Sequence, residues 1–433
     1  MNQNNIKYTT YLNILHEELK PAMGCTEPIA LAYAAAKARD ILGAVPDRII
    51  LEVSGSIIKN VKSVIVPNTN HQKGIDTAVA AGIIAGKTEK ELEVLADITP
   101  EQYDAISDYK ARTPIEVIHV EHGHSFEISI TVFKGNSNAT VRILDYHTDI
   151  VFISKNSEIL LQKELQKTAS DTVSDRSLLN IEDIWDFSQT VAIQDVKPVL
   201  DRQIQYNFAI AQEGLRGNYG ANIGSVLLTN YGSDIRTKAK AYAAAGSDAR
   251  MNGCDLPVVI NSGSGNQGIT CSVPLIIYAK ELHCSDEQLY RALVLSNLVA
   301  IHEKTGIGTL SAFCGAVSAG AGAGAGIAYL CGGGYREVIH TIVNSLAVVS
   351  GIVCDGAKAS CAAKIASSVD AGIMGYEMFK LGQEFKSGDG IVMKDIETTI
   401  KGIGRLGKDG MKQTNDEIIS LMIQEDQIKL KRI

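Results

Sequence analysis

Apolar residues recur at helical spacing over residues 6–20, where Tyr8, Leu12, Ile14, Leu15 and Leu19 form one stripe. Thr26 as N-cap, Glu27 in the first turn and Pro28 then open a second helix, alanine-rich and nearly charge-free to Lys37 and therefore buried. Ile49–Val53 reads as a strand running into Ser54-Gly55-Ser56, and Val64–Pro67 as a further short strand. Residues 73–86 and 88–96 are expected to be helical, the latter with Thr88 and Glu91 as a capping box. From about 114 to 154 the period changes to alternation (IEVIHV, SFEISITVF, ATVRILDYH, DIVFIS), with Gly123 and Gly135-Asn136 at the turns. That pattern predicts an antiparallel meander. His119, His122 and His124 bunch at its first turn, where a solvated hairpin tip is a commoner fate than a metal site.

Residues 155–180 are polar and charged, and the pattern after them is helical: 181–190, 195–213, 235–246, 271–282, 286–301, 308–329, 337–353, 361–381 and 395–404. Strand signals in this part amount to little more than Pro257–Ile260. The expected fold class is therefore α+β: an N-terminal α+β domain with an antiparallel sheet over residues 1–165, followed by a large, mostly all-α domain over 166–433. A chain of 433 residues exceeds what one hydrophobic core usually serves, so two domains are the default.

Composition narrows the function classes. The net charge of −8, with both signs dispersed, lacks the basic stripe of a nucleic-acid surface. Gly306–Tyr335 carries no charge, but its glycine, alanine and serine content suits a tightly packed soluble helix better than a membrane span. The first twenty residues lack a basic n-region and an apolar core, so no signal peptide is expected. Eight cysteines then read as reduced thiols in a cytoplasmic setting. The expected partner is a small amino-acid substrate, with no nucleic acid and no membrane, and assembly into a homo-oligomer stays open.

Candidate chemistry gathers on the thiols. Cys354 and Cys361 stand seven residues apart. An unbroken helix would carry them on one face, roughly 10 Å apart along its axis. Gly356 offers a break that would swing both toward one point, and Cys314 lies forty residues upstream with Gly315 directly after it. Three such thiols suit an iron–sulphur cluster with one unligated iron, although buried cysteine as a small hydrophobe is the competing reading. Cys25 sits just before a helix N-terminus, where free N–H groups and the macrodipole favour a thiolate. The Asn261–Gly268 loop, with Ser262, Gly263, Ser264, Gly265, Asn266 and Gln267, is a donor-rich nest fit for a carboxylate, and Ser54 with Asn60 forms a lesser one. Arg216 on a glycine-rich hinge is more readily a helix end than a clamp. Lys304 and Lys358 are the lysines nearest the suspected cluster, acid/base groups if desolvated and salt-bridged surface residues otherwise.

Pro21-Ala22-Met23-Gly24-Cys25-Thr26-Glu27-Pro28, the 261–270 glycine loop and the Cys314/Cys354/Cys361 spacing together resemble the iron–sulphur L-cysteine desulfidase family over nearly the whole chain. The second half is also loosely similar to the α-chain of the iron–sulphur L-serine dehydratases. The resemblance implies a 4Fe–4S cluster held by Cys314, Cys354 and Cys361 with one open iron, and a catalytic thiolate at Cys25. It implies conversion of L-cysteine and water to pyruvate, ammonia and hydrogen sulphide without pyridoxal phosphate. In that chemistry the open iron is a Lewis acid and Cys25 a base or nucleophile, the base being preferred. The alternatives are an iron–sulphur L-serine dehydratase, a pyridoxal-phosphate lyase, and a non-enzymatic iron–sulphur redox or iron sensor.

Overall fold

The computed structural model describes residues 1–121, 124, 126–163, 174–308, 311–424 and 429–432. Helix α1 (Ile6–Glu18), the short strand β1 (Pro21–Met23) and helix α2 (Thr26–Leu42) come first. Cys25, with extended backbone, takes the N-cap position of α2 that the sequence pattern assigned to Thr26. Strand β2 (Arg48–Ser54) runs directly into helix α3 (Gly55–Val61), followed by α4 (Ile75–Ala85), α5 (Pro100–Arg112) and strand β3 (Ile115–Glu121). Strands β4 (Glu127–Lys134), β5 (Ser137–Leu144), β6 (Ile150–Lys155) and β7 (Glu158–Gln162) complete this half.

The expected meander is corrected in one respect. The sheet order is β7-β6-β5-β4-β2-β3-β9, where β9 (Lys429–Arg432) comes from the other end of the chain. β4 to β7 are antiparallel neighbours as expected, but β2 lies between β3 and β4 and pairs with β3 in parallel. A parallel pair needs a crossover, and the helices between β2 and β3 supply it. β3 and β4 therefore form no hairpin, and the histidine cluster is not a hairpin tip; His122 itself lies outside the described residues. α2 packs on β4 and β5, covering the face where Ile128, Ile130, Val132, Val141 and Ile143 are buried.

Two local readings also change. Residues 88–93 form a 3₁₀ turn kinked at Glu91 (φ 47°), not a capped α-helix. The capping box lies instead at Thr99 and Gln102, opening the unexpected α5 with Pro100 in its first turn. Val64–Pro67 forms no strand, only an isolated bridge from Ile65 to Lys73.

The second half is helical. It contains α6 (Ile181–Thr190), α7 (Ile193–Arg216), α8 (Ile223–Tyr231) and α9 (Ile235–Met251), then strand β8 (Pro257–Val259). After it come α10 (Gly265–Glu281), α11 (Asp286–Ile307), α12 (Gly315–Leu330), α13 (Tyr335–Val349), α14 (Ser360–Lys380), α15 (Ile396–Arg405) and α16 (Lys412–Gln424). The uncharged α12 is the buried centre of this bundle. A Cβ at Gly320 would lie 2.5 Å from the Ser368 carbonyl oxygen of α14, and one at Gly324 2.8 Å from the Gly372 Cα. Its small residues thus serve close helix packing. No helix among the described residues is long and apolar enough to cross a membrane.

Candidate active site

Three backbone devices bring distant residues to one cavity. The first is the antiparallel pair β1–β8, with Ala22 opposite Val258 and the Ile260 N–H donating to the Lys20 carbonyl at 2.9 Å. It lays the turn before Cys25 beside the 261–268 loop, and the Thr26 hydroxyl ties the two by donating to the Gly263 carbonyl at 3.0 Å. Gly24 makes the turn, at φ +57° and with room for a Cβ blocked by Pro67 at 2.1 Å.

The second device bridges the forty residues between Cys314 and Cys354. Their segments pair side by side: the Cys314 N–H donates to the Ile352 carbonyl at 3.0 Å and the Cys354 N–H to the Ala312 carbonyl at 2.6 Å. The third is Gly356, at φ +99°, where a Cβ would stand 2.1 Å from the Lys59 carbonyl oxygen. The chain turns there and enters α14, which carries Cys361 in its first turn. Cys354 and Cys361 are thus not on one unbroken helix; the glycine break is the arrangement present.

Cys25, Cys314, Cys354 and Cys361 all line one cavity of about 110 Å³. That volume is well below the several hundred Å³ of pockets for larger ligands. Lys304, Asn60, Ser262, Gly263, Ser264, Asn266 and Gln267 share the lining. Gly265 does not line it but leaves space for the Arg250 side chain, whose Nε would be 2.3 Å from a Cβ there. Ser54 stays outside, its hydroxyl accepting from the Glu127 N–H at 3.2 Å. Lys358 also stays outside, paired with Asp355 at 2.9 Å. Arg216 is an exposed helix end paired with Glu213.

Lys59, Arg250 and His147, which the sequence pattern did not single out, line the cavity, and so does Glu27, expected only in the first turn of α2. A lysine in Ile57-Ile58-Lys59 and an arginine in an alanine-rich helix are charges inside apolar runs, a signal that could have found them. His147, in the turn between β5 and β6, carried no such signal.

The electrostatics correct the expected Cys25 thiolate. Its Sγ–H donates to a Glu27 carboxylate oxygen at 3.1 Å. Burial and the Glu27 charge push the thiol well up, outweighing the pull of Arg250, so Cys25 rests protonated. Asn60 donates to the other Glu27 oxygen at 3.1 Å and fixes the carboxylate. Burial brings Lys304 down to about 8, against the opposing influence of Cys354 and Cys314. Lys59 donates to the Cys354 carbonyl at 3.2 Å and to the Asn415 side chain at 2.8 Å. Arg250 Nε, Asn266 Oδ1, Gln267 Oε1 and His147 Nε2 are buried with no partner. Unpaired polar atoms this deep are costly unless a ligand completes them.

A cluster is testable against the same residues. Burial and Cys354 push the Cys314 thiol up to about 12, and burial also raises Cys361. Such thiols release their protons to a metal in exchange for its charge. Among the described residues, no group of three or more His, Cys, Asp or Glu side chains is arranged to hold a metal ion. An iron–sulphur cluster asks for something different, because each thiolate binds its own iron and the sulphurs need not converge on one point. The donor set, three thiols on one cavity wall beside lysines, fits that group.

Fold and cavity together define a class: an α+β protein whose sheet half and helical half enclose a thiol-rich, polar cavity. Residues 89–420 match the family model described as serine dehydratase alpha chain. A UPF0597 protein of Desulfitobacterium hafniense is 60% identical over 418 residues, covering 96% of this chain and 97% of that relative. UPF0597 proteins of Lachnoclostridium phytofermentans and Treponema denticola are 50% and 46% identical, covering 96% and 98% of this chain and all of each relative. The chain belongs to the serine dehydratase α-chain family, a lyase-type family.

Proposed function

We propose that this protein is an L-cysteine desulfidase, a carbon–sulphur lyase eliminating sulphide from L-cysteine to leave aminoacrylate, which hydrolyses to pyruvate and ammonia. The observation that carries the reading is the fourth thiol: Cys25 shares its cavity with Cys314, Cys354 and Cys361. Cys25, Glu27 and Asn60 precede the span matched by the serine dehydratase model, so they are features additional to that likeness. The wall beside Cys25 is apolar and sulphur-rich, with Val64, Met251, Ala357 and Cys361 packed on it, which favours a thiol side chain over a hydroxyl.

Cys314, Cys354 and Cys361 are the residues that would hold a 4Fe–4S cluster. When bound, that group supplies Lewis acidity toward the leaving sulphur. Arg250 and the 262–264 loop receive the substrate carboxylate, while Asn266 Oδ1 and Gln267 Oε1 accept from its ammonium. A substrate bound as its thiolate would lose a strongly basic sulphide dianion. Cys25, held protonated against Glu27, supplies the proton that lets it leave as hydrosulphide. Lys304, brought down to about 8 by burial, still carries its charge for the most part at pH 7 and loses it just above.

The test is steady-state assay of anaerobic, iron-loaded protein with L-cysteine and L-serine, reading sulphide and pyruvate. Higher kcat/KM with cysteine is expected. Serine turnover exceeding cysteine turnover would instead establish the second reading, an L-serine dehydratase, which the match over 89–420 favours.

A further inference from the structure

Elimination requires a base for the α-proton, and Cys25, whose Sγ–H donates to the Glu27 carboxylate at 3.1 Å, is placed as the acid. We infer that His147 is that base, its Nε2 taking the α-proton of the substrate; the inference rests on the lyase reading above. His147 lies on the turn between β5 and β6, the only part of the antiparallel strand run that lines the cavity among the described residues. The turn is pinned: the Asp145 N–H donates to the Phe126 carbonyl at 3.0 Å, and the Leu144 N–H to the Asp149 carbonyl at 3.2 Å. Its neighbours Asp145 and Tyr146 face solvent, whereas the imidazole is turned inward. The ring packs edge-on against the buried Phe126 at 4.7 Å, and a Cβ at Gly263 would be only 3.1 Å from its Cε1. It is thus locked between the sheet and the carboxylate loop, with Nε2 buried and no partner.

The charged groups that act on it are Glu27 on α2 and Arg250 on α9, and Cys25, Lys59, Lys304, Cys314, Cys354 and Cys361 line the same cavity. Burial and Arg250 outweigh Glu27 and keep the imidazole neutral, the accepting form. An acid and a base with oppositely displaced environments are then present together. In the step, the Cα–H bond breaks and Nε2–H forms. The Cα–H electron pair becomes the Cα–Cβ double bond, the Cβ–S pair leaves with sulphur, and Cys25 protonates it. The imidazolium proton returns through solvent to the Cys25 thiolate as products depart.

The test uses iron-loaded wild type, His147→Gln and His147→Ala, checked for equal iron content and thermal stability. Both variants are expected to lose about 10²–10⁴-fold in kcat with KM changed less than about threefold. They should also lose the acid limb of the kcat/KM profile. Added imidazole should restore part of the His147→Ala activity and none of the His147→Gln activity. Retention of kcat and of the acid limb in either folded variant would overturn the inference and leave the lyase reading standing. Wild type releasing nothing from cysteine or serine would bring down both.

Discussion

At the scale of single residues, the cavity separates protonation states by neighbourhood. Cys25 occupies a helix N-cap, a position that ordinarily favours a thiolate, yet the Glu27 carboxylate two residues on and complete burial reverse the preference. Cys25→Ser is expected to keep its iron and lose at least about 10²-fold in sulphide release. Unchanged turnover alongside unchanged iron would favour a sensor over an enzyme. A second buried acid sits outside the cavity. Asp248 accepts from the Ile223 N–H at 2.7 Å through one oxygen, while the other has no partner. Burial lifts its carboxyl to about 6. A folded value above the unfolded one favours the protonated folded state, so this residue's contribution declines as pH rises from about 4 through 6 and stays low above. Asp248→Asn should therefore raise stability at pH 7.5 by up to about 3 kcal/mol and flatten the stability profile between pH 4 and 6, as read by thermal melts.

Among the elements, α12 is the one whose composition and role are most tightly joined. It starts at Cys314 and packs against α14, which starts beside Cys361, so the distance between these helices sets two of the thiols. Gly320→Val would drive a side chain into the Ser368 carbonyl and should cost about 1–3 kcal/mol in chemical denaturation, with iron content falling in parallel. Gly351→Ala, at an open position with no close neighbour, should change stability by less than about 0.5 kcal/mol. Periodicity found α12 and most of its neighbours because buried helices leave long apolar patterns. It missed α5 and misjudged residues 88–93, where composition is polar and φ at Glu91 decides the local path.

On the scale of the whole molecule, the cavity exists only because the two halves of the chain are tied across β1–β8 and across Gly356 to Lys59. These ties are backbone contacts independent of any metal. Iron removal by anaerobic chelation is therefore expected to abolish sulphide release and lower the melting temperature while far-UV circular dichroism stays nearly unchanged; loss of helix signal on chelation would show that the metal builds the fold. Local chemistry was legible in the linear pattern: which segments are helical, that Cys25 meets a helix start, that Gly356 breaks the run between two thiols, and that the polar 261–268 stretch leads from a short strand into a helix. Such features follow from neighbours along the chain, through backbone propensity and side-chain spacing. The tertiary structure alone decided that β2 enters between β3 and β4, that Lys358 and Ser54 stay outside the cavity, and that Glu27, Lys59, Arg250 and His147 enter it. Those outcomes depend on which distant surfaces pack together, and it is burial beside particular charges that sets the proton on Cys25 and leaves His147 Nε2 without a partner.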